Sequence, residues 1–199
     1  MLEVSNLGCN LSEINIFQDI NFHLNSEENI EVIGENGSGK TTLLKAIVGL
    51  VPEVDGEIRW HGELIQSLFY PQCFYQGHLL AVKNNLTVLE NLRLFMPEKR
   101  DIFSLKQALE RVEMLDYINR FCSDLSAGQV RRVAMARWIL NIKPLYIIDE
   151  PLTALDDPSI LLFSKIVEDL NNMGSSFIVT GHRPFNTENK IINLSQYEA

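Results

Sequence analysis

Cysteine is scarce in this 199-residue sequence: Cys9, Cys73 and Cys122 lie far apart and share no metal-ligand spacing. That excludes a disulfide framework and a zinc knuckle, and the three read as reduced cytosolic thiols packed like small apolar side chains. Positive charge is also short. Lys and Arg number 17 against 26 Asp and Glu, a formal net charge of −9. Nucleic acid is thereby argued against as the main partner, because such binding needs a basic face. No apolar run approaches the roughly 20 residues that span a bilayer, so a membrane role has to come through a partner. Met1-Leu2-Glu3-Val4 has no basic stretch ahead of an apolar one, which predicts no signal peptide. Internal repeats and low-complexity segments are lacking too. What remains, 46% hydrophobic and 22% charged, is ordinary globular material of about one domain's length.

The stretch that stands out is Gly34-Glu35-Asn36-Gly37-Ser38-Gly39-Lys40-Thr41, two glycines spaced ahead of Lys and a hydroxyl residue as in a phosphate-binding loop. Asn29 to Ile33 before it alternates like a strand, and Thr42 to Val48 after it reads as a short helix that Gly49 ends. The glycines let consecutive backbone N–H groups turn inward on a polyphosphate, and the helix N-terminus adds attraction. Lys40 would reach the β- and γ-phosphates, and the Thr41 hydroxyl would hold Mg²⁺. The competing reading is a glycine-rich turn that binds nothing.

Elsewhere Leu2 to Asn6, Ile20 to Leu24 and Glu57 to Trp60 read as strands, with Val51 to Gly56 as turn material and Phe69-Tyr70 and Phe74-Tyr75 as parts of a further strand. From Thr87 to about Phe121 the period becomes helical. Val88 to Leu92 opens one amphipathic segment, Pro97 breaks it, and Ser104 to Leu115 carries Leu105, Ala108, Leu109 and Val112 on one face. Ser126 can cap a helix over Val130 to Leu140. Leu145 to Ile148 and Ser176 to Thr180 are apolar runs of strands buried on both faces, Ser159 to Asn171 is helical, and Ile191 to Leu194 adds a last strand. This alternation around a phosphate loop predicts an α/β fold with a mostly parallel core sheet and an antiparallel N-terminal β part. The expected organisation is one domain over 1–199, with a core at about 1–80 and 130–199 and an inserted helical subdomain at about 84–129.

An apolar strand ending in a carboxylate is what such a loop needs opposite its hydroxyl, and Asp149 takes that place as a candidate Mg²⁺ residue beside Thr41. Glu150, one residue on, is a candidate base for an attacking water. Helix capping is the alternative for two adjacent acids. His182 follows the strand that ends at Thr180 and is expected at the same sheet edge, where an imidazole can bond a γ-phosphate oxygen and position Glu150.

Leu125-Ser126-Ala127-Gly128-Gln129 resembles the signature motif of ATP-binding cassette ATPases. Leu145 to Glu150 resembles their second nucleotide motif, Thr153 to Asp156 their D-loop, and His182 their switch histidine. The resemblance implies a P-loop NTPase of ABC-ATPase type that binds ATP and Mg²⁺. It implies an ATP-dependent head-to-tail homodimer, each ATP lying between the loop of one subunit and the signature of the other. Carried over by residue, Gly34, Glu35, Asn36, Gly37, Ser38, Gly39, Lys40, Thr41, Thr42, Ser126, Gly128, Gln129 and Asp156 bind nucleotide, Thr41 and Asp149 hold the metal, and Glu150 and His182 are catalytic.

Finer wording is similar to the CcmA family, the ATP-binding subunits of the cytochrome c biogenesis heme exporter: Arg131-Arg132-Val133-Ala134, IDEPLTALD over Ile148 to Asp156, Gly56 to Trp60, and LTVLENL over Leu86 to Leu92. That resemblance implies ATP hydrolysis for heme handling in c-type cytochrome assembly. It further implies a CcmB-like, or CcmC-like, integral membrane subunit as partner, no nucleic acid, and a peripheral place on the cytoplasmic face of the inner membrane. The alternatives are the ATPase of another small exporter of lipoprotein or drug type, a soluble ATP-dependent switch protein, and a module that binds ATP without hydrolysing it. Two departures stand out. Gly77-His78-Leu79-Leu80-Ala81 replaces the family's Gly-His-Gln-Pro-Gly, which predicts slow hydrolysis or coupling unless His78 or Gln76 substitutes for the glutamine. No aromatic stands near Asn10 and Leu11 to stack adenine, which leaves Phe17 as the candidate.

Overall fold

The computed structural model describes residues 1–11, 14–52, 54–65, 72–96, 101–153, 155–182, 184, 186 and 188–197. Phe69-Tyr70, Pro97 and Ala154 lie outside these. In chain order the elements are β1 (Leu2–Leu11), β2 (Ile14–Leu24), β3 (Asn29–Ile33), α1 (Lys40–Ile47), β4 (Val54–Trp60), β5 (Glu63–Leu64) and β6 (Cys73–Gln76). Then follow α2 (Val88–Arg93), α3 (Ile102–Arg111), α4 (Ala127–Leu140), β7 (Leu145–Ile148), α5 (Asp157–Asn171), β8 (Ser176–Gly181) and β9 (Lys190–Asn193). They fall into two compact units, one of Met1–His78, Pro144–Pro151 and Asn171–Ala199, the other of Leu79–Lys143 and Leu152–Leu170.

The first unit holds two sheets among the described residues. One is antiparallel, in the order β2-β1-β4-β5. Its first two strands are longer than the alternation of residues 2–6 and 20–24 predicts, because register shifts along β1 let pairing continue past breaks in the pattern. The stretch read as a turn over Val51 to Gly56 is corrected as well: Val54 to Gly56 belong to β4. Gly56 makes this possible. It stands at φ +90°, and a Cβ there would come within 2.4 Å of the Asn6 carbonyl oxygen, so only glycine fits where the two strands slip register.

The second sheet is parallel, in the order β6-β7-β8-β3-β9. All four residues of β7 are buried, as a strand covered on both faces requires. Tyr146 stacks on Phe177 with ring centroids 4.7 Å apart. Leu43, Leu44 and Ile47 of α1 enter the same core as Ile30, Val32 and Ile178. Glu31, the charged residue of β3, is buried and accepts from the Asn186 N–H and the Asn189 amide. Ile33 pairs with Gly181 and Gln76 with Ile148, so the carboxyl ends of β3, β6, β7 and β8 share one edge. Ligands of open parallel sheets bind at such an edge.

The second unit is helical. Thr87 and Glu90 cap α2 reciprocally, and Asn91 behind them is a buried hub whose amide donates to the carbonyls of Lys83, Leu86 and Thr87 and whose oxygen accepts from Lys83 N–H. Helix α3 starts two residues before the expected Ser104, because Asp101 caps it, and ends at Arg111 rather than Leu115. Glu113 at φ +58° and the Met114 N–H bond to the Leu109 carbonyl close it in a left-handed C-terminal turn. Leu105, Ala108, Leu109 and Val112 are fully buried, about 2 kcal/mol for each large aliphatic side chain. Trp138 of α4 meets Phe163 of α5 edge to face at 5.9 Å.

Candidate nucleotide site

The loop from Gly34 to Thr41 leaves β3 and opens α1. Gly37 and Gly39 stand at φ +85° and +90°, conformations that L side chains avoid. A Cβ on Gly39 would also meet the Ile16 side chain at 2.5 Å. Lys40, buried, donates its ammonium to the Gly34 and Glu35 carbonyls at 2.8 and 2.7 Å, which centres the cation in the loop. Ser38 Oγ is buried with no hydrogen-bond partner among the described residues. An orphaned hydroxyl in a ring of glycines fits a phosphate oxygen, which would satisfy it. Glu35, Asn36 and Thr41 are exposed and Thr42 is half-buried.

Across the edge, Asp149 is buried at 4% exposure and both its oxygens are engaged. Oδ2 accepts from the Thr41 hydroxyl and Oδ1 from the Thr180 hydroxyl, each at 2.7 Å. It forms no ion pair among the described residues. A buried carboxylate facing a threonine hydroxyl and lacking a cation suits Mg²⁺, a hard ion held by few protein oxygens plus substrate phosphates. Consistent with that sparse donor set, no group of three or more His, Cys, Asp or Glu gathers for a metal among the described residues. Burial, and then the Asp149 charge, raise the Tyr75 hydroxyl above its usual pKa.

Glu150 follows at φ +48°, a left-handed conformation that costs a non-glycine residue roughly 1–2 kcal/mol. Its backbone N–H donates to Thr180 Oγ1 at 2.8 Å, which pins this turn. Its carboxylate is flanked by His182 Nε2 at 3.9 Å from Oε1 and by His78 Nδ1 at 4.0 Å from Oε2. Thr41, Asp149, Glu150 and His182, named from the sequence, thus come together within the first unit. Thr180 does not announce itself except as a hydroxyl interrupting an apolar run.

In the second unit, Ser126 caps α4 by accepting from the Gln129 N–H, while Gln129 Oε1 accepts from the Ser126 N–H. The Ser126 hydroxyl keeps its own proton to donate. Nothing lies within 4 Å of where a Gly128 Cβ would stand, so the helix start is open to close approach. A cleft of about 370 Å³ borders Ser126, Gly128 and Gln129 with Arg132, Asp156 and Ser159. Asp156 accepts from the Ser159 N–H at 3.1 Å, and the Ser159 hydroxyl first and this N–H second hold its carboxyl below the usual range. Arg132, quoted from the sequence only as part of the family wording, ties Ser159 Oγ to Glu113 from α4's first turns.

One expectation is corrected. Phe17 is fully buried in the core and offers no face to a base. Leu79 is 84% exposed, so its side chain lies in solvent. Arg137, which the sequence places at helical spacing along α4, has partners that the pattern does not foretell. Buried, and held by desolvation at a pKa of about 10, its guanidinium donates to the Leu80 and Ala81 carbonyls and lies 4.5 Å over the Phe95 ring.

Comparison with known proteins agrees with this geometry. The model of the ABC transporter family matches residues 17–153. The "Cytochrome c biogenesis ATP-binding export protein CcmA" of Hahella chejuensis is 35% identical over 196 residues, 96% of this chain and 93% of that protein. The protein of the same name from Dechloromonas aromatica is 37% identical over 192 residues, 94% of each. Among solved structures, a putative ABC transporter ATP-binding protein from Pyrococcus furiosus superposes with a TM-score of 0.87 over 100% of this chain and 99% of its own, and at 24% identity it speaks for the fold alone. The chain is a member of the ABC transporter family of ATP-binding proteins, within the group of its CcmA relatives.

Proposed function

We propose that the chain is the ATP-hydrolysing subunit of an ABC exporter that serves heme handling in c-type cytochrome assembly. The observation that carries the catalytic half is the hydrogen-bond chain from Thr41 through Asp149 to Thr180, which ends on the backbone of Glu150. The loop N–H groups, Ser38 and Lys40 bind the ATP phosphates. Thr41 and Asp149 would hold Mg²⁺, which neutralises charge developing on the β- and γ-phosphates. Glu150 accepts the proton of a water whose oxygen attacks the γ-phosphorus as the bond to the β-phosphate oxygen breaks, and His182 bonds the γ-phosphate. Ser126 and Gly128, at an open helix N-terminus, face the γ-phosphate bound by a second copy, so that two ATP molecules are sandwiched in a head-to-tail dimer.

The names of the CcmA relatives support the cytochrome branch. No helix among the described residues is long and apolar enough to cross a membrane, and the reading places the chain peripherally on a CcmB-like or CcmC-like membrane subunit. The test is ATP turnover by the chain in its membrane complex. The reading expects turnover that Glu150→Gln lowers by at least about 10²-fold, with ATP binding kept. An undetectable rate in the intact complex contradicts it.

A further inference from the structure

Glu150 does not lean on one imidazole. His182 Nε2 stands 3.9 Å from Oε1, and His78 Nδ1 stands 4.0 Å from Oε2 on the other side of the same carboxylate. The two histidines arrive from different strands, His78 from the end of β6 and His182 from the end of β8. The strand end beneath His78 is fixed to the acid pair, since the Asp149 N–H donates to the Gln76 carbonyl at 2.8 Å. The Glu150 side chain is 19% exposed, whereas those of His78 and His182 are 68% and 51% exposed, so the carboxylate is less accessible than either ring beside it. The next residue, Leu79, carries its side chain into solvent, and that side chain has no hydrogen-bonding group to offer.

We infer that His78 is a second positioning residue of this site, holding the plane of the Glu150 carboxylate at the oxygen that His182 does not approach. The inference rests on the reading of Glu150 as the base in ATP hydrolysis. A carboxylate that turns freely about its last torsion presents its lone pairs to the attacking water only part of the time. One N–H donor at each oxygen fixes that plane and leaves the remaining lone pairs for the water. Separations of about 4 Å are longer than hydrogen bonds and shorten with small side-chain rotations, as catalytic contacts do when substrate is bound. The Leu79 side chain cannot supply such a donor, whereas His78, just past β6, stands 4.0 Å from Glu150 Oε2.

The experiment is steady-state ATP turnover by the full chain in its membrane complex, for wild type, His78→Ala and His78→Asn, each also combined with Glu150→Gln. The expected result is a fall in kcat of about 10- to 100-fold for His78→Ala with the KM for ATP within about 2-fold. His78→Asn, whose amide nitrogen takes the place of Nδ1, recovers much of the rate. In the Glu150→Gln background, residual single-turnover rates change less than about 2-fold, because the residue acts through that carboxylate. A kcat for His78→Ala within about 2-fold of wild type overturns the inference while the ATPase reading stands. Equal losses in both backgrounds, or loss of nucleotide binding in both His78 variants, overturn it as well, by assigning His78 a structural role. A wild-type complex without turnover removes the reading beneath it.

Discussion

Thr180 Oγ1 donates to Asp149 Oδ1 at 2.7 Å, and the same oxygen accepts the Glu150 backbone N–H at 2.8 Å. One hydroxyl on β8 therefore orients the candidate metal residue and fixes the left-handed turn that aims the candidate base.

Replacing Thr180 by Val keeps the shape and removes both bonds. The loss of two hydrogen bonds at a buried carboxylate is expected to destabilise the fold by about 1–3 kcal/mol and to lower kcat for ATP, while Thr180→Ser stays near wild type on both counts. Urea unfolding alongside turnover checks this, and a Val variant as stable and active as wild type would refute it.

Gly128→Ala separates folding from function. The position is helical with open space above it, so the substitution raises stability, by up to about 1 kcal/mol as for Gly to Ala in a helix. If the open helix start receives a γ-phosphate from a second copy, the same methyl weakens ATP-dependent dimerisation. Thermal unfolding and sedentration of the Glu150→Gln form with ATP, by analytical ultracentrifugation, should move in opposite directions.

Ala81 stands at φ +52°, where the related motif has glycine. Ala81→Gly relieves a left-handed strain of roughly 1–2 kcal/mol and loses part of it to the entropy of the unfolded chain, so a net gain of about 0.5 kcal/mol is expected in urea midpoints. A loss of stability would show that the strain is not there.

Glu28 accepts from Lys190 at 2.6 Å and from the Asn25 N–H, and the Lys190 bond leads in holding its pKa down at about 2 from an ordinary 4.5. The folded pKa lies below the unfolded one, so the stabilisation is complete above pH 4.5 and is lost as pH falls from there towards 2. Because the pair is partly exposed, solvent screening limits it to below about 1 kcal/mol. Glu28→Gln should flatten that part of the stability-against-pH curve and leave its shape near neutrality unchanged.

The parallel sheet was legible because its strands are short apolar runs bounded by turn residues, as in Leu145 to Ile148, and the phosphate loop because glycine spacing is a backbone requirement visible in sequence. The antiparallel sheet was less so. Bulges in β1 break the period, and Gly56, which permits β4 to pass close to Asn6, is the residue that makes the stretch look like a turn. Phe17 could be proposed for base stacking because sequence does not say which face of β2 is covered. The contacts of Thr180 with the acid pair and of Arg137 with Leu80 went unread for a related reason: these partners lie 30 or more residues away, and no local pattern encodes such a meeting.

The most direct measurement is heme staining of covalent c-type cytochromes in cells that lack this gene, complemented with wild type or with Glu150→Gln. The account predicts that staining disappears on deletion, returns with wild type and does not return with Glu150→Gln. Unchanged staining in the deletion strain would contradict the cytochrome role, and full rescue by Glu150→Gln would contradict the claim that hydrolysis through Glu150 drives it.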